Sequence, residues 1–188
     1  MIEKIKDMIQ LHRATLKYFE ANGLEATAAA AQLIIDSITN GGCVYVCGNG
    51  GSAADAQHIA AEIVGRFLKE RRALPAVALT VDTSIITAVA NDYDFDYVYA
   101  RQVEALVKAG DVLWALSTSG SSANIIKAVE AARAKGAKII GFTGKEDSQL
   151  QQLADVCVCA KADASFPAQE IHQLAYHAIC NLVEDALG

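Results

Sequence analysis

From Cys43 onward the chain alternates short apolar runs of β-forming residues with alanine-rich runs at helical spacing, and this alternation restricts the fold more than any other feature. Strand, helix, strand in succession joins parallel strands through crossover helices, which cover both faces of a sheet. The runs predict strands at Cys43–Cys47, Ala76–Thr80, Val112–Leu116, Lys138–Thr143 and Val156–Cys159. Helices are expected at Ala53–Phe67, Thr83–Ala90, about Tyr97–Lys108, Ala123–Lys135, near Ser148 and about Pro167–Leu187. Two helical runs come first. Ile5, Met8, Ile9, Leu11, Leu16 and Phe19 recur at helical spacing, and a run from Leu24 to Thr39 stops at Asn40-Gly41-Gly42. The predicted architecture is α/β: a three-layer, doubly wound, five-stranded parallel sheet of flavodoxin-like order 2-1-3-4-5 with two extra N-terminal helices. No linker, repeat or low-complexity segment interrupts it. Residues 1–188 are therefore expected to form a single domain, 1–40 being the leading helices and 41–188 the α/β core.

Composition removes several classes of function. The 188 residues carry 16 Lys and Arg against 22 Asp and Glu, a formal net charge of -6, so no basic field exists to hold nucleic acid. No apolar stretch reaches the roughly 20 residues of a membrane-spanning helix. The opening MIEKIKDMIQ has neither the apolar core nor the cleavage site of a signal or transit peptide. Five cysteines, an odd number without an export signal, point to reduced thiols in the cytoplasm. Cys43, Cys47, Cys157 and Cys159 have strand spacing on strands expected to be non-adjacent, which favours buried thiols over a metal site. Alanine-rich helices and the apolar faces of the leading pair suit a subunit interface, so an oligomer is expected.

In an open parallel sheet, ligands bind beyond the C-terminal strand ends where the strand order reverses, here between the first and third strands. The loops after those strands are the unusual ones. GNGGSAAD (Gly48–Asp55) and STSGSSAN (Ser117–Asn124) each run straight into a helix N-terminus, where free N–H groups and the positive dipole end favour an anion. Glycine lets the backbone approach a phosphate, and Ser52, Ser117, Thr118, Ser119, Ser121 and Ser122 offer hydroxyl donors. Either loop alone reads equally well as a turn with a helix cap. Two of them at adjacent strand ends make a cradle for one phosphate, or for a phosphate and several hydroxyls. Gly48, Gly50 and Ala53 also satisfy the permissive G-x-G-x-x-A dinucleotide pattern, with Asp82 as a ribose-binding acid. Asp82 comes later than the usual ~20 residues, and that reading leaves the serine loop unexplained. No nucleotide cofactor is expected.

His58 and Glu62 are four residues apart and share one helix face. Such a pair orients a base, shares a metal, or is a plain surface pair. Gln169, Glu170, His172 and His177 add polar groups to the last helix, where His177 lies in an otherwise apolar stretch and is either a site residue or a buried structural histidine. Arg66, in the charged segment Arg66–Arg72, either orients a carboxylate, reaches a substrate, or is a solvated cation.

The segments GNGGSAADAQHIAAEIVGRF, AVANDYDF, STSGSSANIIKAVEAA and QEIHQLAYH resemble the signature segments of phosphoheptose isomerases within the sugar isomerase (SIS) fold, over nearly the whole chain. The resemblance implies interconversion of sedoheptulose 7-phosphate and D-glycero-D-manno-heptose 7-phosphate, the entry to heptose synthesis for lipopolysaccharide or other surface glycans. It also implies a cytoplasmic homotetramer with active sites at subunit boundaries. Glu62 would be the carbon base and His177 the group that exchanges protons with the sugar oxygens. By the same correspondence Asn49, Gly50, Gly51, Ser52, Glu62, Asn91, Asp92, Ser117, Thr118, Ser119, Ser122 and Gln169 would hold substrate. Some family members carry zinc on positions matching His58, Glu62, Gln169 and His177, which implies one Zn2+ per subunit here. Gln169 and His177 are separated by a rise of about 12 Å on one continuous helix. Either the ligands come from different subunits, the helix starts after Gln169, or the four do not all bind at once. A closely similar non-enzymatic relative binds the replication initiator DnaA and lacks the Glu–His pair; a phosphosugar-sensing module without turnover is the other alternative. The presence of both Glu62 and His177 favours the enzyme. Pro167-Ala168, preceded by Phe166, stands where the family often has Arg-Ile, so any contact of that arginine is missing.

Overall fold

In the computed structural model, which describes residues 1–188, strands β1 (Val44–Gly48), β2 (Ala76–Ala78), β3 (Val112–Ser117), β4 (Lys138–Thr143) and β5 (Val156–Cys159) form one parallel sheet. Its order is β2-β1-β3-β4-β5, the flavodoxin-like order expected. The helices are α1 (Ile2–Asn22), α2 (Leu24–Thr39), α3 (Gly51–Val64), α4 (Thr83–Asp92), α5 (Ala100–Leu106), α6 (Ala123–Ala134), α7 (Gln149–Leu153) and α8 (Ser165–Leu187). Every residue of β3 is buried, as a strand covered on both faces must be. Its side chains alternate between two apolar layers. Val112, Trp114 and Leu116 pack with α2, α3 and α8, whereas Leu113 and Ala115 pack with α5, α6 and α7. The two leading helices lie against α8, and α1 leaves Ile2, Ile5, Met8, Ile9 and Leu11 exposed.

The boundaries that differ from expectation have local causes. In place of one helix over 97–108, a separate 3-10 turn at Phe95–Tyr97 precedes α5, because the Asp94 carboxylate accepts the Asp96 N–H and caps that turn. Helix α3 begins at Gly51, two residues early, since Gly50 takes a φ of 56° and reverses the chain directly out of β1. Helix α8 begins at Ser165, ahead of Pro167, which is tolerated because first-turn N–H groups have no helical partner in any case. Gln169 and His177 therefore share one continuous helix, and a late helix start does not explain their separation. The cysteines are free thiols, with β3 and β4 between the two strand pairs, and burial raises all five.

Arg66 is exposed and 3.9 Å from Glu70, outside the cleft lining of its own chain. The cation that meets a buried carboxylate is Arg71, whose Nε donates to Glu184 of α8 at 3.1 Å. Glu184 also accepts the N–H groups of Phe67 (2.8 Å), Leu68 (2.6 Å) and Lys69 (2.8 Å). Burial by itself would raise this carboxyl, but the three N–H donors and the arginine more than reverse it and hold it down to about 2. A depressed carboxyl contributes stability that is complete above the unfolded-state pKa of about 4.3 and is lost as pH falls toward the folded-state value. In urea unfolding, the advantage of the wild type over Glu184→Gln is accordingly expected to be widest at neutral pH and to shrink steadily through the acid range. A difference independent of pH would count against this account.

Candidate active site

Helices α3, α6 and α8 all begin at one cleft, at the C-terminal ends of β1 and β3. The cleft has a volume of about 290 Å³ and is lined by Asn49, Gly50, Gly51 and Ser52 from the first loop and by Ser117, Thr118 and Ser122 from the second. Ser165 and Gln169 of α8 complete it, over Leu116. None of these side chains is charged. An anion bound here would meet backbone N–H groups, hydroxyls and the positive ends of helix dipoles.

Side-chain bonds hold the two loops together. Asn49 and Asn124 exchange reciprocal amide hydrogen bonds of 2.8 Å, and the Tyr99 hydroxyl donates to the Gly48 carbonyl at 2.6 Å. The Ser117 hydroxyl lies 3.1 Å from that of Ser122 and 3.3 Å from that of Ser119, and Thr118 donates to the Ser165 hydroxyl at 3.1 Å. Gly48 is where the backbone is closest: a methyl group there would sit 2.4 Å from the Ser52 carbonyl oxygen, which moves only if α3 moves. Because small displacements of a binding group are costly, Gly48→Ala is expected to weaken phosphate binding by roughly tenfold or more. Calorimetry with inorganic phosphate on folded variant and wild type checks this, and equal affinities would contradict it.

A second constellation forms where α3 meets α8. His58 Nε2 is 2.9 Å from Glu62 Oε1, and ligand atoms of His58, Glu62 and His177 all lie within 4.8 Å of one another. The His177 ring stands edge-on to His58 and Tyr176, with centroids 5.1 and 4.7 Å apart, and is tilted on Phe67 at 5.6 Å. The Tyr176 hydroxyl lies 2.9 Å from His58 Nδ1. Burial, and after it the neighbouring His58, presses His177 below the ordinary histidine range, so at neutral pH it is an uncharged imidazole able to accept a proton. Two imidazoles and one carboxylate are a donor set that suits zinc with an open position. Of the residues proposed as metal ligands, these three meet in one chain; Gln169 lies against Gly51 in the cleft, its amide filling the space a methyl there would need.

The other sequence candidates fall into place individually. Asn91 and Asp92 end α4 on the surface, the Asn91 amide donating to the Asp92 carboxylate at 2.8 Å, outside the cleft lining of their own chain. Ser119 belongs to the hydroxyl cluster. His172 is fully buried, 3.1 Å from the Thr143 carbonyl, and burial presses it to about 4, which marks it as structural. Glu170 meets His12 at 2.7 Å on the surface. Asp82, the acid available to a dinucleotide reading, caps α4 by accepting the Ile85 N–H at 2.9 Å. Four residues at these sites escaped the sequence reading: Asn124, Ser165, Tyr176 and Phe67. Asn124, Phe67 and Tyr176 lie in the segments that carry the family resemblance, whereas Ser165 carried no signal there.

Comparison with known proteins places the chain in a family. The SIS domain family matches residues 9–144. The chain is 52% identical over 162 residues to a Rhodospirillum rubrum protein named phosphoheptose isomerase, covering 86% of each. The structure of phosphoheptose isomerase GmhA from Neisseria gonorrhoeae superposes with a TM-score of 0.92 at 40% identity, over 97% of this chain and 98% of that one. A phosphoheptose isomerase from Francisella tularensis superposes with a TM-score of 0.94 at 36% identity, over 98% of both chains.

Proposed function

The chain belongs to the SIS domain family and is a sugar-phosphate isomerase, and from that premise we propose that it interconverts sedoheptulose 7-phosphate and D-glycero-D-manno-heptose 7-phosphate. The observation that carries the reading is the meeting of Glu62 and His177 across α3 and α8. Aldose–ketose interconversion needs a base that moves a proton between adjacent carbons through an enediol, and a second group that exchanges protons with the sugar oxygens. Glu62 takes and returns the carbon proton. His177, uncharged at neutral pH, accepts the hydroxyl proton for ring opening and gives it back. The phosphate sits among Ser52, Ser117, Thr118, Ser119 and Ser122 with the Asn49–Gly51 backbone, and Asn91, Asp92 and Gln169 hold sugar hydroxyls. The product enters heptose synthesis for lipopolysaccharide or another surface glycan in the cytoplasm. Incubation with sedoheptulose 7-phosphate followed by product analysis tests the reading. No turnover, or turnover only of shorter sugar phosphates, would overturn it.

A zinc ion would be held by His58, Glu62 and His177, with Gln169 the fourth ligand of the family pattern. When bound it supplies Lewis-acid polarisation of sugar oxygens. The enzyme is expected to purify with about one zinc per chain, to lose it to a chelator together with part of its thermal stability, and to bind far less as His58→Ala. Equal zinc uptake by wild type and variant would remove the metal from the proposal.

The enzyme is a homotetramer on this reading, with each active site shared between subunits. The arrangement within one chain supports that. Glu62 lies ten steps along α3 from Ser52, a rise of about 15 Å, and Asn91 and Asp92 stand outside the cleft lining of their own chain. Apolar surface for such contacts is present in Ile5, Met8 and Ile9 of α1 and in Leu174 and Leu182 of α8.

A further inference from the structure

We propose that Arg71 and Glu184 are positioning residues for the reaction: their buried ion pair locks the segment after α3 so that Glu62 and His177 stay in register across α3 and α8. The inference rests on the isomerase reading, in which those two residues carry the proton transfers.

Glu62 lies in the last turn of α3, and the chain then runs from Gly65 to Pro75 without helix or strand. Such stretches are ordinarily among the first parts of a protein to open. Here the stretch is folded around two buried charges, the side chains of Arg71 and Glu184 being 2% and 0% exposed. The carboxylate collects three consecutive N–H groups, those of Phe67, Leu68 and Lys69. The guanidinium closes the end of α3: Nη2 donates to the Glu62 carbonyl at 2.8 Å, and Nη1 to those of Ile63 at 3.0 Å and Gly65 at 3.3 Å. These are carbonyls that a helix end leaves without a helical partner.

Glu184 follows His177 by seven residues, so it lies two turns further on, along the same face of α8. The ion pair thus ties the end of the helix that carries Glu62 to the helix that carries His177. Phe67 adds a second link, because Glu184 holds its N–H while its ring lies on the His177 imidazole. An apolar pair could fill the same volume, but it would leave the loop N–H groups and the helix-end carbonyls unpaired. The hydrogen bonds select one loop conformation among many. Neither Arg71 nor Glu184 lines the cleft or joins the donor cluster, so each acts through Glu62 and His177.

Steady-state kinetics with sedoheptulose 7-phosphate, beside thermal unfolding, tests this on wild type, Glu184→Gln, Arg71→Met and the apolar double variant Arg71→Met/Glu184→Leu. A lost register should lower kcat by roughly tenfold or more in each variant, with KM within about threefold. The double variant leaves the loop N–H groups and the helix-end carbonyls unpaired, so it is expected to unfold below the wild-type midpoint and to lose kcat as the single variants do. Wild-type kcat in any folded variant would overturn the inference. Glu184→Gln keeps an acceptor for the loop N–H groups and decides if the others do not fold. Absence of turnover by the wild type would instead overturn the isomerase reading, and this inference with it.

Discussion

Glu62→Gln and His177→Gln should each lower kcat for sugar-phosphate isomerisation by roughly a hundredfold to ten-thousandfold, the range that a positioned acid or base contributes. Glutamine matches glutamate in shape and keeps a hydrogen-bonding oxygen at His58, but its amide does not take a carbon proton. The His177 substitution removes an imidazole that burial keeps uncharged and ready to accept. Neither change touches the cleft lining, so KM should move little. The double variant should lose scarcely more than the worse single, because residues that act as one unit are strongly non-additive. Product analysis at saturating substrate measures all three. Unchanged turnover in both single variants would remove Glu62 and His177 from the mechanism.

Two inactive variants should regain activity when assembled together, the second large effect. Ser122 precedes the first turn of α6 and lines the cleft. Aspartate keeps the helix-capping capacity of serine while setting a carboxylate against the bound phosphate. Like-charge juxtaposition costs several kcal/mol, so Ser122→Asp should raise KM by roughly a hundredfold or more. If one subunit supplies the cradle and another supplies Glu62 and His177, a mixed assembly with Glu62→Gln combines an intact half of each kind at about one site in four, for random mixing in a symmetric oligomer. Co-expressed, differently tagged and co-purified chains should then show about a quarter of wild-type activity, on that same count. No recovery in confirmed mixed oligomers would place the whole site within one chain.

The elements and their order were readable because they rest on local pattern. Buried strands such as Val112–Ser117 are continuous apolar runs, their crossover helices are alanine-rich, and a chain built of such units has few ways to fold. The cradle was readable for the same reason, since GNGGSAAD and STSGSSAN each carry glycines, hydroxyls and a helix start within a few residues. His58 and Glu62 were recognisable as a pair because helix spacing alone makes them neighbours.

Other assignments depended on partners far along the chain. Arg66 and Arg71 sit in one charged segment with nothing local to separate them; Arg71 is the buried cation because Glu184, 113 positions away, reaches it. His172 and His177 are five residues apart on α8, yet one is enclosed beside Thr143 and the other meets His58 and Glu62. The amide pair of Asn49 and Asn124 spans 75 positions. The sequence by itself thus determined the elements and layers through short-range periodicity, and the two cleft loops and the family through segment chemistry. Only the tertiary structure decided which polar groups meet across the chain, such as His177 with His58 and Glu62, or Arg71 with Glu184. Those meetings depend on how α3 and α8 pack on a common sheet, and no local spacing encodes that.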